Sequence, residues 1–513
     1  MVDRHHPNQT MRFRYLVVAF LMSSLAATAT AQTWGISSTG QGSIAFSGNG
    51  AEELGGLTWA GGTQYYAVTD NEAKMFPITI QVNSNSGAIE SVNVAPVVTL
   101  AIGTDLEGIA YNSANSSVFV SDEAGPAIRE YSIATGSVLQ TLTLPPVFAG
   151  HRSNLSLESL SLQPGGNALW TANEEALTAD GPISSFTAGT VVRLQRFNAA
   201  LSASGQWAYV TDAIHGDIGN NGRDTEASGV SDLVALPTGD LLVMERALGA
   251  VPFGFRIRLY QVDLTTATDI SSLADLDGET YTPVTKTLLW EGSFPGNNFE
   301  GIALGPQISG GVYSLLLVSD GGGGVQQALY ALTLAPPPCT PAPLSGCRSP
   351  ERSGLAFRRV DGQRDKLSWT WRRGTIENVS AFGNPTLPGG TPFGVCIYDS
   401  PGGVLTLAWS ARVRAGAEWR AVGSRGFRYR ERDGAADGIV NMVMRSGDGN
   451  ASAALRGKGV NLQPPSNPPS GPMLEHGTEV VVQLVNLENS AECLAASYSS
   501  AATDSPDEYK ARF

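Results

Sequence analysis

The sequence is short of positive charge and of long apolar runs, and each shortage excludes a class of protein. Its 513 residues carry 33 Lys and Arg against 47 Asp and Glu, a formal net charge of −14. Because phosphate neutralisation needs a surplus of basic residues on one face, this balance argues against a nucleic-acid binder. After residue 25 no stretch reaches the roughly 18 apolar residues of a membrane-spanning helix, so we expect no membrane partner.

Several hydrolase motifs are also missing. The chain contains no GxSxG, which argues against an esterase with a serine nucleophile. It contains neither RHGxRxP nor HCx5R, the motifs of histidine and cysteine phosphatases. A water activated by a metal ion is the hydrolytic mechanism that the residues readily suggest.

Glycine and proline, by contrast, are abundant. The 59 Gly and 29 Pro make up about 17% of the chain, which also has 42% hydrophobic residues. This composition is typical of turn-rich β structure and not of a disordered chain or a helical bundle. Charge divides the chain as well: residues 32–334 carry a net −19 and residues 335–513 a net +3. The difference predicts two distinct domains.

The first 31 residues have the pattern of an export signal. Arg12 and Arg14 precede a short apolar run, and Ala-Thr-Ala at residues 29–31 forms a small-residue cleavage site. We therefore predict a secreted or periplasmic protein. The predicted divisions are a signal peptide at 1–31, a first domain at 32–334, a Pro-rich linker at 335–351 and a C-terminal domain at 352–513.

Four cysteines in an exported protein favour disulfides. Cys339 and Cys347 lie in the Pro-rich linker, whereas Cys396 and Cys493 lie in β-type runs of the C-terminal domain. The simplest of the three connectivities pairs Cys339 with Cys347 and Cys396 with Cys493. A metal site built from all four is the alternative, but no CxxC spacing supports it.

An internal repeat organises residues 32–334. Each copy has an acidic residue, an apolar strand, a turn, and a second apolar strand that ends in or just before an acidic residue. The copies start at Glu53, Glu107, Glu158, Asp232 and Glu300. In the first three copies 13 residues separate corresponding positions of the two strands, as from Leu57 to Asp70. Further strand candidates follow each pair, so the repeat predicts an all-β chain that forms a β-propeller. Five blades can be counted, and the longer intervals between copies leave space for a sixth.

The C-terminal domain alternates β-type runs with turn signals, which predicts a β-sandwich of about seven strands. It resembles an accessory domain of secreted bacterial proteins through the residues at 396–399, 458–459 and 483–485. Trp369 and Trp371 share one face of a strand, and core packing is a stronger interpretation for them than a ligand platform.

Residues 50–334 resemble a known family, the phytase-like domain named for the esterase-like activity of phytase. The segments that carry the resemblance are 105–110, 121–126, 152–160, 231–236, 245–246, 256–260 and 299–303. The resemblance implies a propeller fold and hydrolysis of an ester or phosphoester. The long acidic signatures of the calcium-dependent propeller phytases are absent, and a propeller of net −19 repels a hexaphosphate unless Ca²⁺ intervenes.

The repeated carboxylates are the candidate site. Equivalent residues of successive blades form a ring around a propeller channel, and crowded carboxylates favour Ca²⁺ or another hard cation. The predicted metal ligands are Glu53, Glu107, Asp232 and Glu300. The predicted catalytic residues are Glu107, Glu158 and Glu300, and Arg152, Asn154 and Arg246 are predicted to bind an anionic small-molecule substrate.

Three alternatives remain open at this level. Acidic residues at strand starts also accept backbone N–H groups, so any of the five carboxylates can be structural. The propeller can be a non-catalytic scaffold that binds a ligand or a protein. Glu107-Gly108 also resembles the metal-binding Glu-Gly of gluconolactonase propellers, which implies a metal-dependent lactonase.

Overall fold

The computed structural model describes residues 33–217, 228–321, 325–434, 437–465, 471–474 and 477–513, and the predicted signal peptide lies outside them. β-strands and turns make up this part of the chain. Short 3-10 turns occur at Pro146–Gly150, Ser309–Gly311, Val379–Phe382, Pro401–Gly403 and Val460–Leu462. None of the described residues form a helix with the length and apolar character needed to cross a bilayer.

The first part of the chain forms five antiparallel sheets, and each is one blade of a propeller. Two short strands come first, β1 (Gly35–Ser38) and β2 (Ile44–Ala45). Blade 1 contains β3 (Leu54–Gly61), β4 (Gln64–Thr69), β5 (Lys74–Val82), β6 (Ile89–Val94) and β7 (Val98–Thr99). Blade 2 contains β8 (Leu106–Asn112), β9 (Ser117–Asp122), β10 (Ala127–Ser132) and β11 (Val138–Thr141).

The other three blades follow in order along the chain. Blade 3 contains β12 (Ser161–Leu162), β13 (Ala168–Ala172), β14 (Val191–Asn198) and β15 (Ala203–Val210). Blade 4 contains β16 (Ser228–Ala235), β17 (Leu241–Ala250), β18 (Phe253–Asp263) and β19 (Thr285–Phe294). Blade 5 contains β20 (Asn298–Ile308), β21 (Val312–Asp320) and β22 (Ala328–Ala335).

The ring is closed by the two ends of the propeller segment. β1 pairs antiparallel with β22 and supplies the outer strand of blade 5, and β2 adds a second short pairing to β22. The innermost strands contact one another in the cyclic order β3, β8, β12, β16, β20 and back to β3. The predicted all-β propeller is therefore confirmed, and the described residues form five blades.

The glycine of the Glu-Gly pair in the repeat allows neighbouring innermost strands to pack closely. A Cβ atom at Gly108 would lie 2.5 Å from the backbone nitrogen of Leu160, directly before the next innermost strand, and one at Gly301 would lie 2.7 Å from the carbonyl oxygen of Gly55 on β3. Only glycine allows innermost strands to approach this closely. The glycine of the pair is therefore explained by packing. The glutamate before it is not explained by this packing.

Twelve strands of the C-terminal domain form two sheets around one hydrophobic core, more strands than the seven expected. The larger sheet contains β23 (Arg352–Arg358), β24 (Lys366–Ile376), β27 (Trp419–Ala421), β28 (Gly426–Arg430), β29 (Ile439–Arg445), β30 (Gly447–Lys458), β33 (Thr503–Asp504) and β34 (Glu508–Arg512). The smaller sheet contains β25 (Phe393–Asp399), β26 (Thr406–Val413), β31 (Val480–Asn486) and β32 (Cys493–Tyr498). Trp369 and Trp371 pack in the core, as predicted.

The predicted cysteine pairing is wrong. The disulfides join Cys339 to Cys396 and Cys347 to Cys493, with sequence separations of 57 and 146 residues. Cys396 lies in β25 and Cys493 in β32, and β31 lies between these two strands. That arrangement places the two strands about 9–10 Å apart, beyond the roughly 7 Å that a disulfide spans between Cα atoms. Each linker cysteine instead bonds to one strand of the smaller sheet.

Candidate metal centre and active site

The acidic ends of the repeat meet at one mouth of the central channel. Each innermost strand starts at this mouth, and the antiparallel strand beside it ends there, so both strands contribute carboxylates. We call this cluster the acidic mouth. It consists of Asp70, Asp105, Glu107, Glu123, Glu158, Glu174, Glu300 and Asp320.

Two triads within the acidic mouth have the geometry of cation ligands. One carboxylate oxygen from each of Asp105, Glu107 and Glu123 lies within 4.8 Å of the others. The same holds for Glu123, Glu158 and Glu174, so Glu123 belongs to both triads. Oxygen atoms bound to one Ca²⁺ at 2.3–2.6 Å lie at most about 5 Å apart. Each triad can therefore hold part of a coordination sphere.

Glu107 is the least compensated carboxylate of the acidic mouth. Its residue is 7% exposed, and its carboxylate has no hydrogen-bond donor or ion pair among the described residues. Burial raises its pKa well above the ordinary value, and Glu300, Glu123 and Asp105 raise it further. A buried carboxylate without a partner is costly. A cation held with Asp105 and Glu123 would remove that cost.

Arg246 is the cation that the protein itself supplies. Its Nη2 donates to Glu174 Oε1 at 2.6 Å, and its Nη1 lies 3.0 Å from Glu300 Oε1 and 3.2 Å from Asn298 Oδ1. Burial alone would lower the pKa of Arg246, but Glu300 and Glu174 outweigh burial and raise it. Its Nε is buried without a hydrogen-bond partner. One guanidinium cannot balance eight carboxylates, so protons or a bound cation must offset the remaining charge.

Three carboxyl groups titrate close to neutral pH. Burial and the neighbouring Asp320 raise the pKa of Asp70 to about 7. Burial raises the pKa of Glu123 to about 7, although a hydrogen bond from the Ser156 N–H opposes the change. Burial likewise raises the pKa of Glu300 to about 7, although Arg246 opposes the change. Cation binding at neutral pH would therefore release protons.

These raised pKa values predict a pH-dependent stability. The folded protein binds the three protons more tightly than the unfolded chain, whose ordinary pKa values are 3.8 for Asp and 4.5 for Glu. The stability that they confer is complete below those values and is lost as the pH rises through about 7. We expect the melting temperature of chelator-treated protein to fall between about pH 5 and pH 8, and Ca²⁺ to restore it at pH 8. A metal-free melting temperature that rises over this interval would contradict the prediction.

Two predicted metal ligands make other contacts. The Glu53 carboxylate accepts a hydrogen bond from Asn71 Nδ2 at 2.5 Å and lies beside Asp70, at the edge of the acidic mouth. The Asp232 carboxylate accepts the backbone N–H groups of Leu233 and Ile302, both at 2.8 Å. Asp232 therefore connects the innermost strands of blades 4 and 5.

Two predicted substrate-binding residues lie in the loop before β12. Arg152 donates from Nε to the carbonyl oxygen of Ala176 and from Nη2 to that of Gly181, both at 2.8 Å. These bonds hold the segment 176–181 against the loop. Asn154 has a left-handed backbone with φ 57°. Of the predicted substrate ligands, Arg246 alone forms ion pairs within the acidic mouth.

Sequence reasoning singled out Glu107, Glu158 and Glu300, which the structure brings together, but it did not select Glu123, Glu174 or Asp105. A signal for the first two was present. In the second copy of the repeat a glutamate directly follows the second strand, and in the third copy a glutamate lies two residues after it. Antiparallel pairing returns that strand to the mouth where the first begins. Asp105 directly precedes β8, at the same mouth.

A comparison with known protein families gives one match. A family model described as "Phytase-like: Esterase-like activity of phytase" matches residues 49–321, more than half of the chain. No curated protein matches significantly. The chain is similar to the calcium structure of a Trichoderma reesei carbohydrate-active enzyme of family AA12, with 11% identity over 61% of this chain and 99% of that chain and a TM-score of 0.31.

Two further solved structures are similar at the same level. The calcium-binding protein regucalcin from Agrobacterium tumefaciens has 15% identity, covers 55% of this chain and 90% of its own, and has a TM-score of 0.28. A streptogramin B lyase has 10% identity, covers 59% of this chain and 98% of its own, and has a TM-score of 0.26. Similarity this low carries no information about activity or ligand.

Proposed function

Since the chain belongs to the phytase-like, esterase-like family, we propose that it hydrolyses an ester or phosphoester bond with the help of a divalent cation at the acidic mouth. The observation that carries the proposal is Glu107, a carboxylate that is 7% exposed, has no partner among the described residues and lies within ligand distance of Asp105 and Glu123. We propose Ca²⁺ as the cation because every ligand is a carboxylate oxygen and Ca²⁺ accepts several of them in flexible geometry.

Residues of this chain have distinct roles in the proposed hydrolysis. A cation held by Glu107 and its neighbours would polarise a phosphoryl or carbonyl oxygen and make water more acidic. Glu300, with a pKa of about 7, is suited to accept and return a proton at neutral pH. Arg246, whose side chain is 17% exposed at the mouth, would attract an anionic oxygen of the substrate through its charge. Glu158, buried beside Glu107 and Glu174, is the second candidate for proton transfer.

A panel of substrates tests this function. We expect purified protein to release phosphate or p-nitrophenol from phytate, p-nitrophenyl phosphate or p-nitrophenyl acetate when Ca²⁺ is present. After chelation we expect turnover to fall by at least about 10²-fold, the scale of several kcal/mol of transition-state stabilisation by a metal. Re-addition of Ca²⁺ should restore it.

The same panel, with a lactone added, separates the alternatives. Turnover of a lactone alone would assign the site to a metal-dependent lactonase. Calcium binding by calorimetry without turnover of any substrate would assign the acidic mouth to a non-catalytic binding scaffold. Turnover that is insensitive to chelation would overturn the role of the cation.

We propose in addition that the protein is exported to the periplasm or the medium. The signal-like sequence at residues 1–31 and the two disulfides support this location. The resemblance of the C-terminal sandwich to accessory domains of secreted bacterial proteins supports it as well. Mass spectrometry of the exported protein, with Gln32 expected as its first residue, tests the assignment.

A further inference from the structure

The outer face of the larger sandwich sheet is strongly basic. Along β23, β24, β28 and β30, alternate residues pack in the core and the residues between them face solvent, as the period of a strand requires. The core positions carry the aromatic and aliphatic side chains. The solvent positions carry Arg358, Lys366, Arg428, Arg430, Arg456 and Lys458, which we call the basic face.

Basic residues lie directly opposite one another on adjacent strands of this sheet. Lys366 pairs in register with Lys458 on one side and with Arg358 on the other. Arg352 faces Arg372 in the same way. Side chains in such positions have Cβ atoms about 5 Å apart, and like charges there are destabilising. None of these five side chains forms an ion pair with any residue that the structure describes.

The basic face surrounds a groove of ≈ 790 Å³. Seven basic side chains line it against two acidic ones, Glu431 and Glu508. Its floor contains small or polar residues, among them Ala356, Ser368 and Asn441, and no aromatic residue lines it. A groove of this size accommodates a segment of a chain molecule, and its excess of positive charge favours an anionic one.

We propose that the basic face binds a linear acidic polysaccharide. Regularly spaced carboxylates along such a chain would neutralise the opposed basic residues, and the hydroxyl of Ser368 and the amide of Asn441 offer hydrogen bonds to sugar hydroxyls. A single-stranded nucleic acid fits less well because no aromatic side chain is available for base stacking. An anionic membrane is the alternative occupant that the experiment below separates. The proposal is independent of the acidic mouth, which lies in the other domain.

Binding of fluorescently labelled alginate oligomers to the full-length protein, followed by anisotropy in the presence of chelator, tests the proposal. We expect saturable binding at about 0.01 M salt that weakens at about 1 M salt, where charges are screened beyond about 3 Å. The double variant Lys366→Gln/Lys458→Gln should bind roughly tenfold more weakly, since two charge contacts are lost. Its melting temperature should equal or exceed that of the wild type, because the variant removes a repulsion.

A matched control removes two charges of the same domain outside the basic face. Arg364→Gln/Arg373→Gln should bind alginate as the wild type does, since both arginines lie beside acidic residues elsewhere. Equal alginate affinity in the Lys366/Lys458 variant and the wild type would overturn the assignment to this face. Absence of binding at low salt would overturn the proposal, as would equal or tighter binding of duplex DNA or of phosphatidylglycerol vesicles.

Discussion

Glu107→Gln should lower turnover by about 10²–10³-fold and weaken Ca²⁺ binding, the largest effect on activity that we expect from one substitution. Glutamine keeps the size of the side chain but removes the charge that a cation needs. Glu107 is the buried, unpartnered member of the first ligand triad, so no other described contact depends on its charge. Calorimetric Ca²⁺ titration and the hydrolysis panel measure the two effects.

The melting temperature separates a ligand from a structural carboxylate in this variant. The neighbouring carboxylates and burial disfavour ionised Glu107, so a neutral glutamine should raise the stability of the metal-free protein while the gain on adding Ca²⁺ shrinks. Glu90→Gln, at an exposed position far along blade 1, serves as the control and should change neither quantity. A metal-free melting temperature that drops, together with unaltered Ca²⁺ affinity, would show that Glu107 is structural.

Asp232→Ala should destabilise the propeller by about 2–6 kcal/mol, the largest stability effect that we expect from one substitution. Its carboxylate accepts the backbone N–H groups of Leu233 and Ile302 across two innermost strands. Alanine leaves these buried donors without an acceptor, at about 1–3 kcal/mol for each. Chemical denaturation of metal-free protein measures the loss.

Asp232→Asn provides the matched comparison, since it retains one acceptor oxygen and should lose about half as much stability. Both variants should bind Ca²⁺ with wild-type affinity, measured at a temperature where they remain folded. Loss of Ca²⁺ binding with unchanged stability would instead make Asp232 a ligand, as the repeat alone suggests.

The propeller fold could be predicted from the sequence. Strand patterns have a local period, and the repeated interval of 13 residues, as from Leu57 to Asp70, shows the same two-strand unit in successive blades. In blades 1 to 4 the strands pair in the order in which they follow along the chain. A local sequence pattern was therefore sufficient to predict these blades. Closure of blade 5 depends on a strand from the other end of the propeller segment, Gly35–Ser38, and a local pattern does not show that pairing.

Only some residues of the candidate site could be predicted from the sequence. The repeat placed Glu107, Glu158 and Glu300 at equivalent strand starts, and the structure brings all three to the acidic mouth with Arg246. The repeat also selected Asp232, but the strand pairing places Ser231, not Asp232, at the position of Glu107 and Glu300. The Asp232 carboxylate accepts backbone N–H groups instead. A difference of one residue turns a strand side chain to the opposite face, and the register that decides it comes from the pairing of the strands.

The charges of this protein show the difference between what its sequence determines and what its tertiary structure determines. The sequence by itself determined an acidic repeat domain, a nearly neutral tail and a β pattern in both, because composition and strand period are local properties. Only the tertiary structure decided which charges share a surface. Strand pairing over long sequence separations, such as Lys366 with Lys458, collects basic residues on one face of a chain whose net charge is −14. The same long-range pairing put β31 between two cysteines and so decided the disulfides.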